Sequence, residues 1–371
     1  MKKIAFLIYS LAPGGAERVV SILLEHFSKK YKTHLVLMND TIFYEVPKNV
    51  KIHFLEKSLP NEYGIKKLIK IPFLAKRYTK YLEKEKIDIS ISFMNRPNYI
   101  NVLAKKSAKT IISERANPTL QHRYGFQGFI NRVLIKKLYK KADRVIANSF
   151  GSAYDLEKNF NLTDVKVIYN PIKPCHYMKK KKQNTFTFIT VGRLDNGKNH
   201  KMLIDAFKLA NLNAKLDIIG TGELKRRLKQ YVEAINLREQ IKFLGRQNDV
   251  FSFLNQADCF VFSSKHEGFP NVLPEALTCG LPIISTDCRS GPREILAPNT
   301  DFRYQTNEIE LAEYGILVPV NDTEKMAKAM KIIYNDNKLR EKYMQKAIER
   351  AKDFDVKNII KEWEKEIKDL L

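Results

Sequence analysis

The feature that most constrains the fold of this chain is a repeated alternation of short apolar runs with helical patterns. Parallel strands that are buried on both faces are typically short continuous apolar runs, and a helical crossover separates each strand from the next. The alternation therefore predicts an α/β fold built on doubly wound, mostly parallel sheets. It occurs twice along the 371 residues, a length that suits two domains of ordinary size.

The first series predicts one Rossmann-like domain. Its strands are expected at Ile4–Ser10, His34–Met38, Lys51–Leu55, Ile87–Phe93, Thr110–Ser113, Arg144–Ala147 and Lys166–Tyr169. Its helices include Ala16–Lys29, Ile65–Lys86 and Phe126–Lys141. The second series predicts a similar domain, with strands at Thr185–Val191, Leu216–Gly220, Ile241–Gly245, Cys259–Ser263, Pro282–Ser285 and Ile316–Val320.

The boundary between the two series is marked by Pro171, Pro174 and the lysine run Lys179–Lys182, because prolines favour extended backbone. We divide the chain into a domain at 1–170, a linker at 171–184, a domain at 185–352 and a terminal segment at 353–371. The terminal segment has one apolar stripe that includes Trp363, so we expect an amphipathic helix anchored by that side chain.

Cysteines and hydropathy favour a cytoplasmic protein. The four cysteines have no metal-ligand spacing and form no disulfide framework for a chain this long, so reduced thiols are expected. The apolar start at Ile4–Tyr9 is too short for a secretory signal and is better read as a first strand. No apolar run approaches the ~20 residues that a membrane span needs.

The stretch Glu267–Glu275 carries the strongest chemical pattern. It follows a predicted strand and opens a predicted helix, where Pro274 suits the first turn. Free N–H groups at such a helix start favour an anion such as a diphosphate, and the two carboxylates could accept hydrogen bonds from sugar and ribose hydroxyls. From this stretch alone, a surface helix with a solvated glutamate at each end is an equal alternative.

The loop Gly192–Asn199 favours the anion-binding interpretation. It follows the first strand of the second domain, at the edge of the sheet where ligands bind. Arg193 can contact a phosphate in bidentate fashion and Lys198 adds a point charge, so together they can neutralise a leaving diphosphate. Either residue alone could be a solvated loop cation.

Two glycine turns are weaker signals. Gly14 and Gly15 lie between the first strand and the first helix, where they would let the backbone approach a ligand. They do not form the G-x-G-x-x-G pattern, which disfavours a nicotinamide dinucleotide. The turn at Gly220–Leu224 is better explained by packing than by ligand contact.

In their order and spacing, these motifs resemble glycosyltransferase family 4, whose retaining members have a GT-B fold and an E-x7-E element. The resemblance covers nearly the whole chain, including F-L-G-R at 243–246. It implies two Rossmann-like domains that face each other across a cleft, with the terminal helix crossing back to the first domain. It implies that Arg193 and Lys198 hold the diphosphate and, with Glu267 beside the transferred sugar, form the catalytic group. The implied donor contacts also include Gly14, Gly15, Gly245, Arg246, Gly268, Phe269, Asn271, Val272, Leu273 and, at the ribose, Glu275.

Within this family the first half is most similar to the N-acetylgalactosaminyltransferases of bacterial N-linked protein glycosylation, which act on sugars linked to undecaprenyl diphosphate. This resemblance is carried by residues 8–20, 34–40, 52–56 and 95–100. This implies a retaining hexosyltransferase that moves N-acetylgalactosamine from UDP-GalNAc in α linkage to a polyprenyl-diphosphate-linked saccharide. No metal or other cofactor is expected. The alternative is a family member with another nucleotide sugar or a soluble acceptor. Acceptor contacts are expected at Glu17, Asn95, Arg96 and Arg115, the last at a position where many relatives have a histidine.

The charge distribution predicts a membrane-facing first half. Residues 1–170 contain 31 Lys/Arg against 14 Asp/Glu, a net charge of +17 out of the chain's +24. Such a surface suits the anionic inner face of the cell membrane and a lipid-linked diphosphate, and we expect peripheral association there. A nucleic-acid-binding protein is the competing class, but no recognition-helix pattern, zinc module or RNA-binding motif accompanies the charge. We therefore expect no nucleic-acid partner.

The segment 121–144 combines this charge with an apolar stripe. It has seven Lys/Arg and one acidic residue. The stripe consists of Phe126, Phe129, Ile130, Val133, Leu134 and Leu138. At helical spacing such a stripe is expected to belong to the domain core, with lipid contact as the alternative.

Overall fold

The computed structural model describes residues 1–57, 64–105, 108–175 and 185–371. The chain forms two compact units, Met1–Pro171 with Val356–Leu371, and Ile172–Asp355. Most of the predicted linker 171–184, including Lys179–Lys182, lies outside the described residues. No helix in the described ranges is both long and apolar enough to cross a membrane.

The first unit contains a seven-stranded parallel sheet of order β3-β2-β1-β4-β5-β6-β7. Chain order reverses between β1 and β4, the switch point of a doubly wound sheet. Alternate residues of β1 face opposite layers, with Ala5 and Leu7 in one core cluster and Ile4 and Phe6 in another. The strands are β1 (Lys3–Ile8), β2 (Lys32–Leu37), β3 (Lys51–Phe54), β4 (Ile89–Phe93), β5 (Lys109–Glu114), β6 (Arg144–Ala147) and β7 (Lys166–Val167).

Helices cover both faces of this sheet, as burial of both strand faces requires. They are α1 (Gly15–Phe27), α2 (Gly64–Ile69), α3 (Ile71–Glu85), α4 (Asn95–Leu103), α5 (Pro118–Gln121), α6 (Gly125–Leu138) and α7 (Phe150–Phe160). The apolar sides of α3, α4, α6 and α7 share one core cluster, and α1 contributes to the cluster on the opposite face.

The second unit repeats the architecture with strand order β10-β9-β8-β11-β12-β14-β13. Every strand pairs in parallel except β13, which is antiparallel to β14. The strands are β8 (Phe186–Val191), β9 (Ala214–Ile219), β10 (Ile241–Gly245), β11 (Cys259–Phe262), β12 (Ile283–Thr286), β13 (Glu310–Leu311) and β14 (Ile316–Val318). The helices are α8 (His200–Ala210), α9 (Lys225–Ala234), α10 (Val250–Leu254), α11 (Val272–Thr278), α12 (Pro292–Leu296), α13 (Thr323–Asn335) and α14 (Asn337–Ala351).

The terminal helix α15 (Val356–Lys368) packs on the first unit. Trp363 is fully buried, with its ring centroid 5.8 Å from that of Phe93 in β4. At the helix surface the imidazole of His26 in α1 lies 3.2 Å from the carboxylate of Glu364. The apolar stripe of the terminal segment therefore becomes part of the core beneath α1.

Three details of the sequence prediction were wrong. The single helix expected at Ile65–Lys86 is two helices, because Pro72 stands in the first turn of α3. The short antiparallel strand β13 was not predicted. The stripe on α6 is only partly core, since Phe126 is 70% exposed and Phe129 is 55% exposed. The buried residues of α6 are Gly128, Asn131, Ile135 and Leu138, and of these Leu138 alone belongs to the predicted stripe.

Candidate active site

Two residues of the predicted site are in contact. They are Lys198, on the loop after β8, and Glu267. The ammonium of Lys198 donates to the carboxylate of Glu267 at 2.5 Å and lies 5.4 Å above the ring of Phe262. The lysine carbonyl accepts a hydrogen bond from the hydroxyl of Ser263 at 2.8 Å, which ties the loop to the end of β11. The lysine stem lies beside Gly192, where a Cβ would be 3.6 Å away, an ordinary van der Waals contact.

Arg193 is linked to the same loop by an acidic residue that the sequence interpretation missed. Its Nε donates to Asp195 at 2.5 Å, although its side chain is 76% exposed. Asp195 also accepts the amide of Lys198 at 3.0 Å. Burial raises the pKa of Asp195, but these hydrogen bonds outweigh burial and leave the pKa below its usual value. Asp195 is therefore the common support of both predicted phosphate-binding cations.

The glycine turn at Gly220–Leu224 supports this loop by close backbone contact. A Cβ at Gly220, where φ is +142°, would lie 1.9 Å from the carbonyl oxygen of Gly192. A Cβ at Gly222 would lie 2.4 Å from the carbonyl oxygen of Leu194, whose amide donates to Thr221. These contacts agree with the packing role expected from the sequence.

The Glu267–Glu275 stretch does not form a solvated surface helix. The side chain of Glu267 is 14% exposed, and Glu275, inside the first turn of α11, is buried. Phe269 is buried against the ring of Phe354, and Gly268 and Leu273 are also buried. The amide of Leu273 donates to the carbonyl of Pro270 at 3.0 Å. Two largely buried carboxylates favour a binding site over the surface-helix alternative.

The remaining predicted donor contacts in this unit lie at different positions along the sheet. Asn271 and Val272, at the start of α11, are half-buried. Gly245 ends β10 with φ at +73° and open space around its α-carbon, and Arg246 beside it is exposed. Because β10 lies two strands from β8, the structure does not bring this pair into contact with Lys198.

The glycine pair of the first unit lies at the carboxyl end of β1. Gly14 precedes α1, and Gly15 is its exposed first residue. The carboxylate of Glu17 folds back over Gly14, where a Cβ would lie 2.2 Å from it. Burial raises the pKa of this carboxyl. The carbonyl of Gly14 accepts from the hydroxyl of Tyr44 at 3.2 Å, which fixes the turn.

Asn95 and Arg96 begin α4, at the carboxyl end of β4. The amide of Asn95 contacts the ring of His122. The guanidinium of Arg96 donates to Glu56 at 2.9 Å and to the carbonyl of Lys67 at 3.0 Å, and the side chain is only 10% exposed. The structure thus uses Arg96 to connect neighbouring loops of the predicted acceptor edge.

Arg115 follows β5, next along the same sheet edge. Its guanidinium donates to Ser113 at 3.1 Å and to Asn170, and it lies over the ring of Phe93. Burial lowers the pKa of Arg115 to about 9, against the opposing charge of Glu114, so the guanidinium is charged at neutral pH.

The buried Glu114 is a second functional candidate that sequence reasoning missed. Its carboxylate accepts the hydroxyl of Tyr139 at 2.7 Å and the amide of Arg115 at 3.0 Å. Burial raises the pKa of Glu114 to about 7 in spite of these hydrogen bonds. No local sequence pattern shows that this glutamate is buried, because its partner Tyr139 lies 25 residues further along the chain.

The titratable residues that the structure describes include no group of three or more His, Cys, Asp or Glu side chains that could hold a metal ion. Beside Lys198, burial lowers the pKa of His200 to about 4, helped by the lysine charge, so its imidazole is neutral at neutral pH. The charged side chains that meet at this loop are Arg193, Asp195, Lys198 and Glu267.

Two protein-family models match the chain. Residues 13–174 match "Glycosyltransferase Family 4", and residues 177–350 match "Glycosyl transferases group 1". Among solved structures, HepE from Anabaena in complex with UDP has a TM-score of 0.81 at 20% identity, covering all of both chains. Sucrose-phosphate synthase from Thermosynechococcus elongatus has a TM-score of 0.80 at 17% identity, covering 100% of this chain and 99% of that one.

Two relatives from Campylobacter jejuni are similar over almost their full length. One is N-acetylgalactosamine-N,N'-diacetylbacillosaminyl-diphospho-undecaprenol 4-alpha-N-acetylgalactosaminyltransferase, 39% identical with 96% of each chain covered. The other is the alpha-1,4-N-acetyl-D-galactosaminyltransferase that acts on GalNAc-alpha-(1->4)-GalNAc-alpha-(1->3)-diNAcBac-PP-undecaprenol. It is 28% identical, with 98% of this chain and 97% of the other covered.

Proposed function

The chain belongs to glycosyltransferase family 4 and is a hexosyltransferase, and we propose that it transfers N-acetylgalactosamine from UDP-GalNAc to a saccharide on undecaprenyl diphosphate. The new linkage is α, with retention of the donor configuration. The observation that carries this proposal is the 39% identity to a GalNAc transferase over 96% of both chains. Similarity at that level extends through both units and thus through both the donor and the acceptor regions.

The donor binds the second unit through the Lys198 loop. Lys198 and Arg193 hold the diphosphate of the UDP-sugar, Glu267 lies beside the transferred sugar, and Glu275 accepts hydrogen bonds from the ribose. Gly245 and Arg246 contact the base. Support comes from the direct contact of Lys198 with Glu267 and from the support of both cations by Asp195.

Catalysis depends on stabilisation of the leaving UDP. Negative charge grows on the diphosphate as the glycosidic bond breaks, and cations already in place stabilise that charge without reorganisation. We assign this role to Lys198 and Arg193, with no divalent cation needed. Full activity in the presence of EDTA is the expected result. Loss of activity with EDTA and its recovery with Mg²⁺ or Mn²⁺ would contradict this assignment.

The acceptor binds the first unit at the carboxyl edge of its sheet. Glu17, Asn95, Arg96 and Arg115 lie at the ends of the adjacent strands β1, β4 and β5. Gly14 and Gly15, at the same edge, contact the donor. The surplus of Lys/Arg in residues 1–170 holds this unit at the anionic cytoplasmic face of the membrane, where a polyprenyl-linked substrate is found.

The decisive experiment is a panel of UDP-sugars with short saccharides on a polyprenyl diphosphate and with the same saccharides free in solution. We expect UDP-GalNAc to be the preferred donor, the lipid-linked saccharide the preferred acceptor, and an α linkage by NMR. Preference for another nucleotide sugar would contradict the donor assignment. Equal rates with free saccharides would show instead a family member with a soluble acceptor.

A further inference from the structure

We propose that the first unit inserts an exposed apolar surface into an anionic lipid bilayer beside its acceptor edge. This surface, the apolar rim, consists of Ile69, Phe73, Tyr124, Phe126 and Phe129. These side chains are 55–78% exposed. Large exposed apolar clusters on a soluble domain mark interaction sites. The proposal deepens the function proposed above by naming the residues that contact lipid.

The two parts of the apolar rim lie at the same edge of the sheet. Ile69 ends α2 and Phe73 is in the first turn of α3, both in the crossover from β3 to β4, and the three aromatic residues are at the start of α6, in the crossover from β5 to β6. Both α3 and α6 lead back to the amino end of the next parallel strand, β4 and β6, so the starts of the two helices lie towards the carboxyl edge. Both helices pack in the same layer, with α4 in contact with each.

The first turn of α4 connects the two parts directly. Arg96 donates to the carbonyl of Lys67, two residues before Ile69. Asn95 contacts the ring of His122, two residues before Tyr124. The apolar rim therefore flanks the pair of residues to which we assign acceptor contacts.

The rotation of α6 explains why its aromatic residues face outward. Gly128 is packed against the backbone at His122, where a Cβ on the glycine would lie 2.8 Å from the carbonyl oxygen. Its neighbours on the inward face are Asn131 and Ile135. With these residues facing inward, Phe126 and Phe129 project away from the core, one turn of helix apart.

The charges around the apolar rim match an anionic bilayer. Residues 64–82 contain six Lys/Arg and no Asp or Glu, and residues 121–142 likewise contain six and none. Exposed Arg123 and Arg132 lie closest in sequence to the aromatic residues of α6. In a bilayer the aromatic side chains can enter the apolar interior while the basic side chains contact the anionic headgroups. Nonspecific charge attraction alone would not require the exposed phenylalanines.

The test compares Phe126→Ser/Phe129→Ser with wild type in co-sedimentation on vesicles of phosphatidylethanolamine and phosphatidylglycerol. We expect a loss of partitioning of roughly tenfold or more, since each buried apolar side chain adds to interfacial binding. Leu209→Ser is the matched control, because Leu209 is 51% exposed on the second unit and should leave binding unchanged. Unchanged binding of the double variant, with complete release at high salt, would show purely electrostatic attachment and overturn the proposal.

A second variant reports insertion without removing apolar surface. Phe126→Trp adds an exposed indole to a chain whose single native tryptophan, Trp363, is fully buried. We expect a blue shift of its emission and quenching by brominated lipid on the same vesicles, but none on phosphatidylcholine alone. Failure of brominated lipid to quench this indole in bound protein would also overturn the proposal.

Activity separates this proposal from the proposed function. With a short-chain, water-soluble lipid-diphosphate acceptor, the double variant should retain wild-type kcat, because Phe126 and Phe129 lie outside the catalytic group. Absence of transfer by the wild-type enzyme would count against the proposed function and leave the vesicle result standing. A fall in kcat of the variant with the soluble acceptor would show a direct substrate contact in place of a lipid contact.

Discussion

The ammonium of Lys198 donates directly to the carboxylate of Glu267, although the two residues lie 69 positions apart in the chain. Their side chains are 24% and 14% exposed, so solvent screens the pair only partly. In the site that we propose, the same ammonium also contacts the diphosphate, so the pair would connect diphosphate binding to the carboxylate that we place beside the transferred sugar.

Replacement of Lys198 by alanine should reduce kcat by roughly 10²–10³, the effect of removing one preorganised charge-stabilising group. Steady-state kinetics with UDP-GalNAc and a lipid-linked acceptor measure this. Lys201→Ala is the matched control, because Lys201 lies on the same unit and pairs with Asp205 at the surface. Wild-type kcat for Lys198→Ala would show that the loop does not stabilise the leaving diphosphate.

Arg193→Ala should give a similar loss of kcat, roughly 10²–10³, for the same reason. Its high exposure distinguishes it from Lys198, since a side chain that is 76% exposed buries little surface in the folded chain. We therefore expect little effect of the substitution on the urea midpoint, and a denaturation curve measured beside the kinetics checks this. A large loss of stability with little loss of kcat would identify Arg193 as a structural partner of Asp195.

Glu267→Gln should impair transfer while UDP affinity stays nearly unchanged. The substitution keeps the shape of the side chain but removes the charge that faces Lys198 and the sugar. Single-turnover rates measure the chemical step, and calorimetric titration with UDP measures binding. Equal losses in both measurements would mean that Glu267 acts mainly by positioning Lys198 for the diphosphate.

Most of the fold follows from the sequence because strands buried on both faces have a strong signal. Every predicted strand has an observed counterpart, and both ends of β6 and β10 agree with the prediction, whereas β13 has two residues and no detectable periodicity. The start of a new helix at Pro72 could have been predicted from the proline, but one continuous helix was predicted there. Contacts between residues from distant segments of the chain were harder to predict from the sequence. Periodicity located the stripe on α6 but not the contact of Gly128 that turns Phe126 outward.

The candidate site divides in the same way. Arg193, Lys198 and Glu267 belong to motifs with fixed local spacing, so the sequence singles them out. Other residues of the candidate sites have no such motif. Asp195 is distinguished from other loop residues by its hydrogen bonds, and Glu114 is buried by packing against Tyr139 from the crossover between β5 and β6. Burial and partner choice are tertiary properties, which local pattern does not encode.

Trp363→Ala should destabilise the first unit by about 3–5 kcal/mol, the usual cost of truncating a large buried aromatic residue. The indole is fully buried beside Phe93, so its removal leaves a cavity between α15 and the sheet. Lys361→Ala, at an exposed position of the same helix, should change stability by no more than about 0.5 kcal/mol. Urea denaturation followed by circular dichroism tests both variants. Equal midpoints for them would show that the terminal helix contributes little to the unit.

Glu114→Gln should remove a pH dependence of stability. Burial raises the pKa of Glu114 to about 7 in the folded chain from its ordinary value of 4.5, so the native state binds more protons than the unfolded state between these values. Its stabilising contribution is complete below pH 4.5 and is lost as pH rises through 7. The loss is on the order of 3 kcal/mol, since one pKa unit corresponds to about 1.4 kcal/mol.

Urea midpoints of the wild type and Glu114→Gln at several pH values between 5 and 8 measure this difference. We expect the wild type to lose stability relative to the variant as pH rises, because glutamine carries no charge that burial can penalise. Tyr139→Phe is the informative companion. It removes the hydroxyl that donates to the ionised carboxylate, which should raise the pKa of Glu114 further and move the loss to higher pH. Parallel pH profiles for all three proteins would contradict the buried, protonatable state of Glu114.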